Sequence, residues 1–194
     1  MTKIYIIRHA QSEGNREKTF QGLENTPLSA KGEIQLETLQ RFFADIPLNK
    51  IYTSPLLRAT QTAQAVRGKQ TCPIEKQEKL IELNMGLWQG HTYNEVKLQF
   101  PRRFKNWEKH LWLLHTPKGE SVFHLSKRVR HCFQQIIKEN ENQTVAIVSH
   151  GCAIRTLMCH IENRPLYQLN RIPLPDNASV IGVKYEKGKF VQFC

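Results

Sequence analysis

The 194-residue chain has no apolar run near the ~18 residues that a membrane span requires. Its start shows no signal-peptide plan, because only four apolar residues separate Lys3 from Arg8. The expectation is a cytoplasmic protein with no membrane partner. Cysteine is scarce: Cys72, Cys132, Cys152, Cys159 and Cys194 form no Cys-x-x-Cys pair. An odd count with that spacing argues against a disulfide framework and a zinc site, and for reduced, mostly buried thiols. Acidic residues are few, 17 against 28 Lys and Arg, which leaves a net charge of +11. Such a chain attracts anions of some kind. Its basic runs, Arg102-Arg103-Lys105 and Lys127-Arg128-Arg130, read as solvated helix faces. No finger, ribonucleoprotein or helix-turn-helix pattern accompanies them, so no nucleic acid is expected. Internal repeats and Pro/Gly-rich linkers are absent too, which predicts a single domain over 1–194.

What is present alternates between two periods. Residues 3–7 and 144–148 read as buried strands, 50–53 and 71–74 as shorter ones, and 179–185 with 189–193 as a hairpin around Lys187-Gly188. Helical spacing covers 31–44, with Ser29 as cap and Ile34, Leu36, Leu39, Phe42 and Phe43 as its apolar set. Further helices are expected at 56–66, capped by Ser54 with Pro55 in the first turn, and at 93–100, 104–114, 120–138 and 152–160. Residues 25–29 read as a turn and 80–91 as a loop. This alternation predicts an α/β three-layer sandwich, a largely parallel central sheet flanked by helices.

In such sheets ligands bind beyond the carboxyl ends of the strands. Arg8-His9 and Ser149-His150-Gly151 both fall at such ends. Phosphoryl transfer needs an in-line nucleophile, cations around the equatorial oxygens and a proton for the leaving oxygen. His9 offers a nitrogen nucleophile, with an ordinary imidazole pKa of ~6.5. Arg8 is its neighbour, Arg58 lies in the first turn of a helix, and His150 is a second imidazole donor. Taken singly, each of these residues has a plain structural reading. The acid is not identified on these grounds, since Glu75, Glu78 and Glu82 are all open.

Arg8-His9-Ala10-Gln11-Ser12-Glu13-Gly14-Asn15 resembles the signature of the histidine phosphatase superfamily, in the branch that contains cofactor-dependent phosphoglycerate mutases. Similar blocks follow in that family's order: Gln21-Gly22, Pro27-Leu28-Ser29-x-x-Gly32, and Ser54-Pro55-Leu56-Leu57-Arg58-Ala59-x-x-Thr62-Ala63. After them come Leu80-Ile81-Glu82-Leu83-Asn84-Met85-Gly86-Leu87-Trp88-Gln89-Gly90, Gly119-Glu120-Ser121 and Val148-Ser149-His150-Gly151. The resemblance spans nearly the whole chain. It implies a phosphoglycerate mutase-like fold and a phosphohistidine at His9. Arg8, Arg58 and His150 would hold the phosphoryl oxygens, and Asn15, Gln21 and Gly22 would bind substrate. Glu82 would protonate the leaving alcohol and then deprotonate water. It also implies no cofactor and no metal, with protein cations in the metal's place.

Within the family, mutases carry basic residues just after the acid, where this chain has Leu83, Met85 and Tyr93. They usually have Ser/Thr-Gly where this chain has Gln21-Gly22, and the stretch from Glu82 to Gly119 is short here. The expectation is therefore a metal-independent phosphomonoesterase acting on a small phosphorylated metabolite, with a lid insertion at about 83–118. Arg102 and Arg103 are candidates to reach an anionic group on the substrate. The alternatives are a phosphoglycerate mutase, an α-ribazole phosphatase-type enzyme and a non-catalytic binding protein of the same fold. A phosphosugar, phosphoglycerate or phosphoserine all remain open as substrate, and so does the oligomeric state, a homodimer included.

Overall fold

A computed structural model describes residues 1–194. In chain order the elements are β1 (Thr2–Arg8), α1 (Glu13–Arg16), α2 (Ala30–Phe43), β2 (Lys50–Thr53), α3 (Leu57–Arg67) and β3 (Ile74–Lys76). They continue with α4 (Tyr93–Gln99), α5 (Pro101–Lys109), α6 (Val122–Glu139), β4 (Thr144–Ser149), α7 (Gly151–Ile161), β5 (Val180–Glu186) and β6 (Lys189–Gln192). None of the helices is long and apolar enough to cross a membrane.

The sheet order is β3-β2-β4-β1-β5-β6. β3, β2, β4 and β1 run parallel; β5 pairs antiparallel with β1, and β6 pairs antiparallel with β5 at the edge. Successive side chains of a strand face opposite ways, so a buried strand needs cover on both sides. Ile4 and Ile6 of β1 enter a large core with Val145, Ile147 and the inner faces of α6 and α7. Tyr5 and Ile7 enter a smaller one with Ile51, Ala146, Val148 and apolar residues of α2 and α3. Each buried aliphatic side chain contributes about 1.5–3 kcal/mol by leaving water. The result is the expected α/β sandwich, six strands between helical layers.

Local departures from the sequence reading have local causes. The strand expected at 71–74 begins only at Ile74, because Pro73 has no N–H to give; its carbonyl instead accepts from Ile51 N at 3.0 Å. The helix expected at 104–114 starts at Pro101 and stops at Lys109, and a short 3-10 turn follows at Leu111–Leu113. A distant residue ends it: Asn170 Oδ1 accepts from Leu111 N, and its Nδ2 donates to Glu108 O. Of the apolar set on α2, Leu39 and Phe43 are buried while Ile34 and Phe42 are exposed. Ser54 does not cap α3, which begins at Leu57 behind Leu56; its hydroxyl serves the site described next.

Candidate active site

β1, β2 and β4 end side by side, so their carboxyl ends deliver their next residues to one place. Arg8 stands opposite Ser149, His9 N donates to Ser149 O, and Ser54 N donates to Val148 O. The rings of His9 and His150 lie 5.0 Å apart, centroid to centroid. Three segments far apart in the chain thus meet at the crevice where ligands bind in open α/β sheets.

His9 is only 3% exposed. Its Nδ1 lies 2.7 Å from Ala10 O, an acceptor, so Nδ1 carries the proton. Nε2 therefore presents a lone pair, and Arg58 Nε donates to it at 3.3 Å. Ala10 is pinned in turn, since its N donates to Thr62 Oγ1, which donates to Arg58 O. Arg58, 1% exposed, donates its remaining nitrogens to Glu24 O at 2.6 Å and Gly22 O at 2.9 Å. Burial lowers its pKa to about 10, so the guanidinium stays charged at neutral pH.

His150 precedes α7 and is fully buried. Its Nε2 lies 2.7 Å from Ser54 Oγ, which also accepts from Leu56 N. A hydroxyl donating to Nε2 leaves the proton on Nδ1, and that buried atom has no partner within the protein. Arg8 Nε is likewise buried and unpartnered, while Arg8 Nη1 donates to Pro175 O. Two orphaned donors beside an imidazole lone pair form a cradle for an oxyanion, because buried donors are ordinarily satisfied.

A cavity of about 490 Å³ opens on this cradle. Arg8, His9, Asn15, Gln21, Gly22, Arg58 and Glu82 all line it; of the predicted site residues only His150 lies behind the lining. Asn15 Oδ1 accepts from Ser12 and Asn177, and Gln21 Oε1 accepts from Ser12 and Thr26, which leaves both amide nitrogens free to donate. The Glu82 carboxylate accepts from Leu83 N at 2.8 Å, Cys152 N at 3.0 Å and Ala153 N at 3.2 Å, the last two at the start of α7. Tyr93, Trp107, Glu108 and Leu111 complete the wall from the segment expected as a lid. Arg102 and Arg103 are not part of it; both are exposed on α5. Residues whose place at the site the sequence did not indicate include Ser54, which holds His150 behind the lining, Cys152 and Arg155 on the cavity wall, and Asn177, which donates to His9 O.

Burial, reinforced by Arg58 and Arg8, pushes the His9 pKa well below 6.5. Burial first and then Arg58 do the same to His150. Both imidazoles are neutral when folded, while the unfolded chain takes up protons near pH ~6.5. Their contribution to stability is therefore complete above that pH and is lost as pH falls from there toward the folded values. Urea unfolding midpoints should decline steadily below about pH 6.5, and the slope should flatten in a His9→Gln/His150→Gln variant. An unchanged slope in that variant would contradict the neutral pair.

Paired imidazoles and two arginines at the carboxyl ends of parallel strands form a site suited to binding a phosphoryl group. Residues 4–192 match the model of the histidine phosphatase superfamily (branch 1), and the chain belongs to that family. It is a phosphatase of this type. Phosphoserine phosphatase 1 of Hydrogenobacter thermophilus is 32% identical over 159 residues, covering 82% of this chain and 75% of that protein. The structure of Bacillus stearothermophilus YhfR superposes with a TM-score of 0.95 at 32% identity, covering 99% of this chain and 95% of that one. A phosphoserine phosphatase variant from Entamoeba histolytica, solved with phosphoserine, superposes at 0.86 with 26% identity, covering 100% of this chain and 96% of that one.

Proposed function

We propose that the protein hydrolyses a small phosphorylated metabolite through a phosphohistidine on His9. The observation that carries this reading is the tautomer of His9: Nδ1–H is committed to Ala10 O, and the Nε2 lone pair stands beside Arg58 and the unpartnered donors of Arg8 and His150. Nε2 attacks phosphorus in line, and the bond to the leaving oxygen breaks as Glu82 supplies its proton. Arg8, Arg58, His150 and the Asn15 amide hold the equatorial oxygens, with Gln21 and the Gly22 backbone at the cavity wall. The Nδ1–H···O bond to Ala10 then stabilises the positive charge of the phosphorylated ring. Glu82, now a carboxylate, takes a proton from water; the water oxygen displaces Nε2 from phosphorus and phosphate leaves. One carboxyl group serves both half-reactions as acid and base.

Residues 1–194 act in this reading as one catalytic domain, with 83–118 as a lid over the leaving group. Leu83 and Met85, apolar neighbours of Glu82 on the wall, favour a phosphatase over a mutase that must retain an acidic substrate. The direct test is a panel of phosphorylated metabolites, phosphoserine and phosphosugars included, with 3- to 2-phosphoglycerate conversion assayed alongside. Net hydrolysis supports the reading, and isomerisation without net phosphate release overturns it. Cations of the protein provide the charge in this mechanism, so EDTA is expected to leave turnover of p-nitrophenyl phosphate unchanged. A loss that added metal restores would contradict it.

A further inference from the structure

The basic run Lys127-Arg128-Arg130 is not a uniform solvated face. Lys127 and Arg130 are exposed on α6, but the Arg128 guanidinium turns inward. Its Nε and Nη2 donate to the two carboxylate oxygens of Glu120, both at 2.8 Å. Nη1 donates to Lys79 O at 2.9 Å and Ile81 O at 2.8 Å, and Nη2 also donates to Glu82 O at 2.9 Å. All five donors of the guanidinium are engaged.

The segment 79–84 has little regular structure, so its carbonyls need partners from elsewhere. Arg128 supplies them for residues 79, 81 and 82. Ser149 Oγ donates to Leu80 O at 2.7 Å, and Glu120 N and Thr116 Oγ1 both donate to Asn84 O. The next turn is pressed down as well: a Cβ on Gly86 would lie 2.1 Å from Pro117 O. The main chain at Glu82 is thus held by a cation outside the cavity lining. Side-chain geometry follows main-chain position, and a misplacement of about 1 Å can cost 10²-fold in rate.

We propose that Arg128, paired with Glu120, is a positioning residue for the acid–base step, fixing the loop that aims Glu82. This rests on the reading of Glu82 as the proton donor. The readout is the rate of phosphoenzyme formation by rapid quench, on p-nitrophenyl phosphate and on β-glycerophosphate, expressed as the ratio of the second to the first. A nitrophenolate leaves without help and an alkoxide does not, so mispositioning of the acid lowers this ratio, while general damage lowers both rates together.

Arg128→Gln is expected to reduce the ratio by about tenfold or more, in the same direction as Glu82→Gln. The double variant should show no further fall beyond Glu82→Gln, since the two act in series. If Arg128→Gln does not fold, Arg128→Lys carries the same comparison. It keeps the charge beside Glu120 but has only three donors for five acceptors, and it too should lower the ratio. An unchanged ratio in the folded Arg128 variant while Glu82→Gln lowers it overturns this inference alone, as does a further fall in the double variant. An unchanged ratio in Glu82→Gln removes the acid assignment, and the inference with it.

Discussion

Replacing His9 by alanine is expected to reduce turnover of p-nitrophenyl phosphate by at least about 10⁴-fold, the scale seen when a covalent nucleophile is removed. The change should leave the anion cradle in place. Arg8 Nε and His150 Nδ1 are oriented by their own contacts, and Arg58 keeps its bonds to Gly22 and Glu24. Inorganic phosphate should therefore still raise the melting temperature of the variant, since a ligand bound to the folded state at 100 times its Kd adds about 2.7 kcal/mol. Loss of turnover with retained phosphate binding separates a nucleophile from a residue that only binds. A His9→Ala protein retaining activity within about tenfold of the parent would rule out covalent catalysis at this position.

Glu82→Gln is expected to split the reaction in two. Glutamine keeps the size and can still meet the α7 amides through its oxygen, but it neither gives nor takes a proton. Formation of the phosphoenzyme from p-nitrophenyl phosphate should be nearly spared, while formation from an alkyl phosphate should fall by about 10²–10⁴-fold, the range for general acid–base catalysis. Hydrolysis of the phosphoenzyme should slow whatever its source, because the water has lost its base. Mixing the variant with p-nitrophenyl phosphate should then give a stoichiometric burst of nitrophenolate followed by a slow steady state. The absence of a burst, or equal losses on both substrates, would move the acid–base role to another group on the cavity wall, Glu108 being the other carboxylate there.

The chain exposes much of this in one dimension. The apolar runs ending at Arg8 and Ser149 are legible because a buried parallel strand is short, apolar throughout and stops abruptly. The positions of His9, Arg58, Glu82 and His150 are legible because each sits in a block whose order resembles that of a known family. Everything that depends on a contact between distant side chains is not legible. Ser54 reads as a helix cap by its spacing, yet its hydroxyl serves an imidazole 96 positions away. Arg128 reads as one of three surface cations until its guanidinium is seen among the carbonyls of residues 79–82. Asn170, which ends the short α5 helix, lies far beyond any local pattern. Arg102 and Arg103 fail in the opposite way. Their charge suits a substrate anion, but Phe104 is the residue that α5 buries, and the arginines face water.

The central claim is that a phosphoryl group is transferred to one imidazole nitrogen. The most direct measurement is rapid-quench labelling with a ³²P-phosphorylated substrate, followed by peptide mapping of the labelled protein. The account predicts a label that is lost in acid, survives base, maps to the peptide containing His9 and vanishes in His9→Ala. A label that survives acid, maps to another residue, or persists without His9 would contradict it.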